Sequence, residues 1–256
     1  MQIFKYQGTG NDFVMIDERD ASYHLSTEQI AFLCTRRFGV GADGLILLRN
    51  EPGYDFRMVY YNADGNEGTM CGNGGRCAVK FAHDLGIFDH KTTFMAVDGE
   101  HEAELTDGIV KLKMIDAMVG TTADKEAFYQ TGSPHVVIPV TDIANYEVYA
   151  NGKAIRYNEY WKANGGANIN FVEPLSENQI HVRTYERGVE DETYSCGTGV
   201  TAAALYSYEH LGLKSPIKIK TLGGELGVSF VAQDGFYSEI YLSGPAKKVF
   251  EAEIAL

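Results

Sequence analysis

Hydrophobic and polar positions fall into short strand-like runs separated by turn residues, and the arrangement occurs twice. Residues 92–97, 101–106 and 109–114 read as three strands, separated by Asp98-Gly99 and Asp107-Gly108, the dipeptides that close tight hairpins. Residues 217–222, 225–231 and 236–242 form a second trio, separated by Gly223-Gly224 and Asp234-Gly235. Each trio follows a segment with helical spacing that is approached through glycines and stopped by one. The first is Cys71-Gly72-Asn73-Gly74-Gly75-Arg76-Cys77 running on to Gly86, and the second is Cys196-Gly197-Thr198-Gly199 running on to Gly212.

Upstream the correspondence persists at a nearly constant offset, as a duplicated unit requires. Residues 13–16 match 136–139 at an offset of 123, while 45–48 match 169–172 and 56–59 match 180–183 at 124. The two cysteines are 125 apart. The pattern therefore predicts an α/β (α+β) chain of two pseudo-symmetric halves, 1–115 carrying Cys71 and 116–245 carrying Cys196. Each half is expected to be a curved, mostly antiparallel sheet wrapped around a central helix. Residues 249–254 alternate like a strand, so the tail 246–256 is expected to return to the first half. Nothing resembling a low-complexity linker separates the halves.

Composition narrows the function. With 256 residues, 45% hydrophobic and 22% charged, the chain is long enough for a sizeable core. Its formal net charge of −13 argues against nucleic acid or an anionic membrane as partner, because both need a basic footprint. The first residues carry no signal-peptide core, and no run approaches the roughly 18 apolar residues of a membrane span, so a cytoplasmic protein with reduced thiols is expected. None of the four cysteines has C-x-x-C spacing, which removes the commonest zinc motifs, and no metal site is predicted. Gly39-Val40-Gly41-Ala42-Asp43-Gly44 matches a dinucleotide fingerprint literally. Its context is reversed, however: residues 30–38 precede it with helical spacing and a strand at 45–48 follows, so a nucleotide-binding oxidoreductase is a remote alternative.

The chemistry centres on Cys71 and Cys196. A cysteine at a helix mouth has its thiolate favoured by the helix dipole and the first-turn N–H groups. Glycines beside it let those amides approach an anion. If the two sites face each other, one thiolate can remove an α-proton from one side of a carbon while the opposite thiol returns a proton on the other. Cys34 and Cys77 lie in apolar helical segments and read as small buried hydrophobes.

These residues resemble the diaminopimelate epimerase family over essentially the whole chain. The resemblance is carried by Gly8-Thr9-Gly10-Asn11-Asp12-Phe13, by Asn62-Ala63-Asp64-Gly65 through Cys77, by Gly132-Ser133-Pro134-His135, and by Tyr185-Glu186-Arg187-Gly188 through Gly199. It implies an isomerase without cofactor, a homodimer, and diaminopimelate as substrate in lysine and peptidoglycan precursor biosynthesis. It also implies that Cys71 and Cys196 are the acid–base pair, and that Gly72, Asn73, Gly197 and Thr198 offer backbone N–H groups to the reacting carboxylate. Asn62, Asn168, Glu186 and Arg187 would read the distal, unreactive amino-acid end. Asn11 and His135 are read as occupying matching strand entrances, with Asn11 a substrate-binding candidate. Gly44 and Ser133 stand where many members carry glutamine and asparagine, so with His135 they form a candidate outer shell. The alternatives are another cofactor-independent racemase or isomerase of the same fold and, remotely, a non-catalytic binding protein.

Overall fold

A computed structural model describes residues 1–20, 23–121 and 127–255. Residues 122–126 of the predicted second half and residue 256 of the predicted tail strand lie outside the described residues. The chain divides into two compact units, Met1–Leu112 with Gly244–Leu256, and Lys113–Ser243. Among the described residues no helix is long and apolar enough to cross a membrane.

The first unit begins with β1 (Gln2–Gly8), β2 (Asn11–Asp17), α1 (Thr27–Cys34), β3 (Gly44–Arg49) and β4 (Phe56–Asn62). Helix α2 (Gly72–Asp84) follows, then β5 (Lys91–Ala96), β6 (Gly99–Thr106) and β7 (Ile109–Lys113). The second contains β8 (Ala117–Thr121), β9 (Ala127–Gln130), β10 (Pro134–Pro139), α3 (Val148–Arg156), α4 (Glu159–Ala163), β11 (Asn168–Ser176) and β12 (Gln179–Glu186). It continues through β13 (Asp191–Thr193), α5 (Gly197–Leu211), β14 (Ile217–Thr221), β15 (Gly224–Gln233) and β16 (Phe236–Pro245). The chain then returns to the first unit as β17 (Lys247–Glu253), which pairs antiparallel with β1.

Both sheets are mainly antiparallel, with parallel pairs at matching places: β2–β3 and β4–β5 in one, β10–β11 and β12–β14 in the other. Parallel neighbours need a crossover, which α1 and α2 supply in the first unit and α3–α4 and α5 in the second. Strands at the sheet centre are therefore covered on both faces. All but the last residue of β3 are buried, which explains why its sequence, Gly44-Leu45-Ile46-Leu47-Leu48, is an unbroken small or apolar run. In the first unit Leu45 and Leu47 pack with Ile30 and Leu33 of α1. In the second, Ile169 and Phe171 pack with Val148 and Trp161. On the opposite face Val200 and residues 202–205 of α5 form a core with Ile217, Ile219, Val228, Ile240 and Leu242.

Two sequence expectations need correction. The helical spacing at 30–38 is helix only as far as Cys34; Ser26 and Gln29 form a capping box that starts α1 at Thr27, Thr35 ends it with extended backbone (φ −69°, ψ 117°), and Arg37 beyond it takes a positive φ of 77°. The match of 13–16 with 136–139 is one residue out. The β2–β3 ladder sets Val14 opposite Leu45, and the β10–β11 ladder sets Val136 opposite Ile169. With Leu45 and Ile169 equivalent, this strand follows an offset of 122, so Phe13 corresponds to His135 and Asn11 to Ser133. A one-residue slip exchanges the two faces of a strand, and apolar content alone did not detect it because both faces are buried.

Candidate active site

In each unit the glycine-rich helix opens on a cysteine with extended backbone. Cys71 has φ −114° and ψ 125° and Cys196 φ −119° and ψ 114°, and neither supplies a side-chain cap. Gly75 N–H donates to Cys71 C=O at 2.7 Å and Val200 N–H to Cys196 C=O at 2.9 Å. The amides of the preceding residues, 72–74 and 197–199, form the mouth of each helix, where positive potential concentrates. Cys71 is half-buried and Cys196 is 8% exposed. All four cysteines are free thiols. Cys34 and Cys77 are core residues, and burial pushes their thiols up to about 11 and about 12, so neither is ionised near neutrality.

Around Cys71, charged groups fix the direction of each hydrogen bond. Asn11 Nδ2 donates to the Asp43 carboxylate at 2.7 Å, which leaves Asn11 Oδ1 as the atom 3.6 Å from Cys71 Sγ. Asn73 Nδ2 donates to the same Oδ1 at 3.3 Å. The Asn73 amide is held by Arg76, whose Nη2 donates to Asn73 Oδ1 at 3.0 Å and to Thr9 Oγ1 at 3.1 Å. Arg76 is fully buried without a carboxylate partner among the described residues, and its Nε has no hydrogen bond. Burial holds its guanidinium below the usual range, though nearby Cys77 and Cys71 act the other way. Behind Asn11, Asp43 and Asp12 share Arg36, at 3.0 and 2.7 Å, and Lys5 lies 2.8 Å from Asp12.

Asn62 is exposed at the end of β4, opposite Gly44 in the β3–β4 ladder. Gly44 has no room for a side chain: a Cβ there would lie 2.6 Å from the Tyr60 ring and 2.5 Å from Tyr61 C=O. The Tyr60 ring thus occupies the space beside Gly44.

Around Cys196 the network is different. Thr198 Oγ1 lies 3.5 Å from Cys196 Sγ, 2.8 Å from His135 Nε2 and 3.2 Å from Ser133 Oγ. Ser133 Oγ is 2.9 Å from the same His135 nitrogen and accepts from Asn168 Nδ2 at 3.2 Å. His135 is fully buried; burial, reinforced by the charge of Arg187, pushes its pKa down to about 3, so the ring is neutral near neutral pH. Asn170 completes the network. Its Nδ2 donates to Val136 C=O at 3.0 Å and meets His135 Nδ1 at 3.1 Å, and its Oδ1 accepts from Thr184 at 2.9 Å.

The other three distal candidates, Asn168, Glu186 and Arg187, lie in the second unit. Asn168 Oδ1 accepts from the Arg187 backbone N–H at 2.9 Å, and Glu186 accepts from the Thr193 hydroxyl at 2.7 Å. Arg187 is exposed and directs Nη1 toward Gly165 C=O at 3.3 Å. Among the described residues no group of three or more His, Cys, Asp or Glu side chains is placed to hold a metal ion.

Asn170 and Arg76 were missed by the sequence reading, although both left a signal. Asn170 is the one polar residue in the run Ile169-Asn170-Phe171-Val172, and Arg76 is a charge inside an otherwise small and apolar helix segment.

This architecture of two similar α/β units recurs among solved structures. A Bacillus anthracis phenazine biosynthesis protein of the PhzF family superposes with a TM-score of 0.79 at 16% identity, covering 100% of this chain and 99% of that chain. A hydroxyproline epimerase from Agrobacterium vitis with bound trans-4-hydroxy-L-proline gives 0.68 at 14%, covering 100% and 92%. Sequence comparison is more specific. The family model described as Diaminopimelate epimerase matches residues 3–120 and 127–249. A diaminopimelate epimerase of Flavobacterium psychrophilum is 49% identical over 258 residues, covering 99% of this chain and 100% of that protein. One from Aquifex aeolicus is 40% identical over 276 residues, covering 100% and 98%. The chain belongs to the diaminopimelate epimerase family.

Proposed function

We propose that the protein interconverts L,L- and meso-diaminopimelate by proton transfer at one α-carbon, using Cys71 and Cys196 as the acid–base pair. The observation that carries the reading is the repeated cysteine at the uncapped mouth of a glycine-rich helix. The α-carboxylate would take backbone N–H groups of Gly72, Asn73, Gly197 and Thr198. As the α-proton leaves, negative charge moves onto that carboxylate, where two helix N-termini stabilise it more strongly than in the ground state. One thiolate removes the proton; the other thiol delivers one to the opposite face. This chemistry needs neither metal nor organic cofactor.

Asn62, Asn168, Glu186 and Arg187 are assigned to the distal amino-acid end, where a guanidinium suits a carboxylate and a carboxylate suits an ammonium. Asn11 is assigned to the acid–base site, with Ser133 and His135 behind Thr198. Tyr60 fills the place beside Gly44. The acidic net charge of −13 does not oppose this substrate, whose two amino-acid ends are each zwitterionic near neutrality. We assign the reaction to lysine and peptidoglycan precursor biosynthesis in the cytoplasm, and the working protein to a homodimer.

The test is incubation of metal-free, cofactor-free protein with L,L-diaminopimelate in D₂O. Formation of the meso isomer with deuterium at the inverted carbon is expected. Absence of both, or turnover of proline or hydroxyproline instead, would overturn the assignment.

A further inference from the structure

We propose that Arg156 and Glu190 are positioning residues for the distal end of the substrate: as an ion pair joining two loops, they fix where Arg187 stands. This rests on the assignment of Arg187 to the distal carboxylate above, and adds the residues that hold its guanidinium in place.

Arg187 is tied down at its backbone and at the tip of its side chain. Its backbone N–H donates to Asn168 Oδ1 at 2.9 Å, and its Nη1 lies 3.3 Å from Gly165 C=O and 3.5 Å from Gly166 C=O. With Nη1 turned to these carbonyls, the Nε and Nη2 edge is the one suited to take a carboxylate side-on. The placement of that edge depends on two segments, the pair of carbonyls at 165–166 and the turn at 187–190. Both have unusual backbone. Gly165 and Gly166 each have a φ of 76°, and Glu190, which carries a Cβ, has a φ of 59°. Left-handed backbone at a residue other than glycine is unfavourable and persists where surrounding contacts over-determine it.

Glu190 makes those contacts. Its Oε1 accepts from Gly188 N–H at 3.1 Å and its Oε2 from the Tyr185 hydroxyl at 3.3 Å. Its own N–H donates to Glu186 C=O at 2.8 Å, so one residue closes the turn on both sides of Arg187. Burial raises the Glu190 carboxyl, but Gly188 N–H, the Tyr157 hydroxyl and Arg156 outweigh it and hold the group below the usual carboxylate range. The same Oε1 accepts from Arg156 Nη2 at 3.1 Å.

Arg156, the last residue of α3, has a side chain only 14% exposed. Its guanidinium packs against Gly166, where a Cβ would overlap Nη1 and Cζ. Arg156 therefore braces the dipeptide whose carbonyls receive Arg187, while gripping the carboxylate that closes the turn bearing Arg187. Its Nε is buried without a hydrogen bond. A buried donor left unpartnered lowers stability, which argues against a purely stabilising role for this arginine.

Holding an exposed arginine in one placement before the ligand arrives removes part of the ordering cost of binding. The distal end does not react, so its contacts are equal in the ground and transition states and act on KM more than on kcat.

Steady-state kinetics of the full-length protein with L,L-diaminopimelate test this. Arg156→Met and Glu190→Gln should each raise KM about tenfold with kcat within about twofold of wild type. Each is then combined with Arg187→Met, and kcat/KM is read from the initial slope. With Arg187 removed, its support has nothing to hold, so either change should alter kcat/KM by less than about twofold. A merely structural role gives the same factor in both backgrounds. Glu190→Gln keeps the shape of the carboxylate and carries the test if circular dichroism shows Arg156→Met to be misfolded. An unchanged KM in Glu190→Gln, a loss confined to kcat, or equal factors in the two backgrounds would overturn the proposal. Wild-type turnover with variants that keep its KM removes this inference alone; a wild type without turnover removes the epimerase reading beneath it.

Discussion

Gly74 and Gly199 are the third residues of α2 and α5, and the same substitution should act oppositely at the two sites. In a helix, alanine is favoured over glycine by up to about 1 kcal/mol. At Gly74 a Cβ would meet Ile46 Cδ1 and Met58 Cε, both at 3.3 Å, and Phe13 Cζ at 3.6 Å. The first two are ends of flexible side chains that can move by tenths of an ångström, so Gly74→Ala should leave stability unchanged or raise it by up to about 1 kcal/mol. At Gly199 the same methyl would overlap Asn170 Oδ1 and lie 3.2 Å from Cys196 Cβ. Asn170 cannot yield freely, because its amide is held at once by Thr184, Val136 C=O and His135. Rotating it strands at least one buried polar group, at about 1–3 kcal/mol, and overpacking adds a comparable amount. After the gain in helix propensity, Gly199→Ala should lose about 2–4 kcal/mol. Urea unfolding of both variants beside wild type measures the difference. Adding Asn170→Ala should recover part of the loss, with a coupling of about 1 kcal/mol or more. Two variants equal within about 0.5 kcal/mol, or a double variant that is simply additive, would refute the reasoning.

Three further outcomes follow from the site. Cys71→Ser and Cys196→Ser should each lower turnover by at least about 10²-fold with far-UV circular dichroism unchanged, since a serine hydroxyl is a far weaker acid than a thiol; retained turnover would remove the two-thiol mechanism. His135 is neutral in the fold down to about pH 3, whereas an unfolded histidine takes up a proton near pH 6.5, so its contribution is complete above about 6.5 and is lost as pH falls toward 3. Stability should therefore decline by up to about 1.4 kcal/mol per pH unit in that window from this group, and His135→Gln should flatten the decline in urea midpoints. Arg76→Lys should cost about 1–3 kcal/mol in urea unfolding, because a single ammonium cannot serve Thr9, Asn73 and Gly72 together; an unchanged midpoint would show that the guanidinium fork is dispensable.

The sequence by itself determined the architecture and singled out the two cysteines on which the proposed chemistry rests. Alternating runs and Asp-Gly or Gly-Gly turns set the hairpins after each helix, because side-chain period and turn chemistry are local properties. The recurrence of Cys-Gly-x-Gly at an offset of 125 marked Cys71 and Cys196 without any tertiary information. Register was a different matter. In strands buried on both faces, hydrophobicity does not distinguish one face from the other, and only the parallel ladders revealed that His135 corresponds to Phe13 and Ser133 to Asn11. The hydrogen-bond directions around the two thiols were likewise decided by tertiary structure. They depend on Asp43, Arg76 and Asn170, which are 28 residues before Cys71, five residues after it and 26 residues before Cys196. Such groups orient an amide or an imidazole only once folding has brought them within about 3 Å of it.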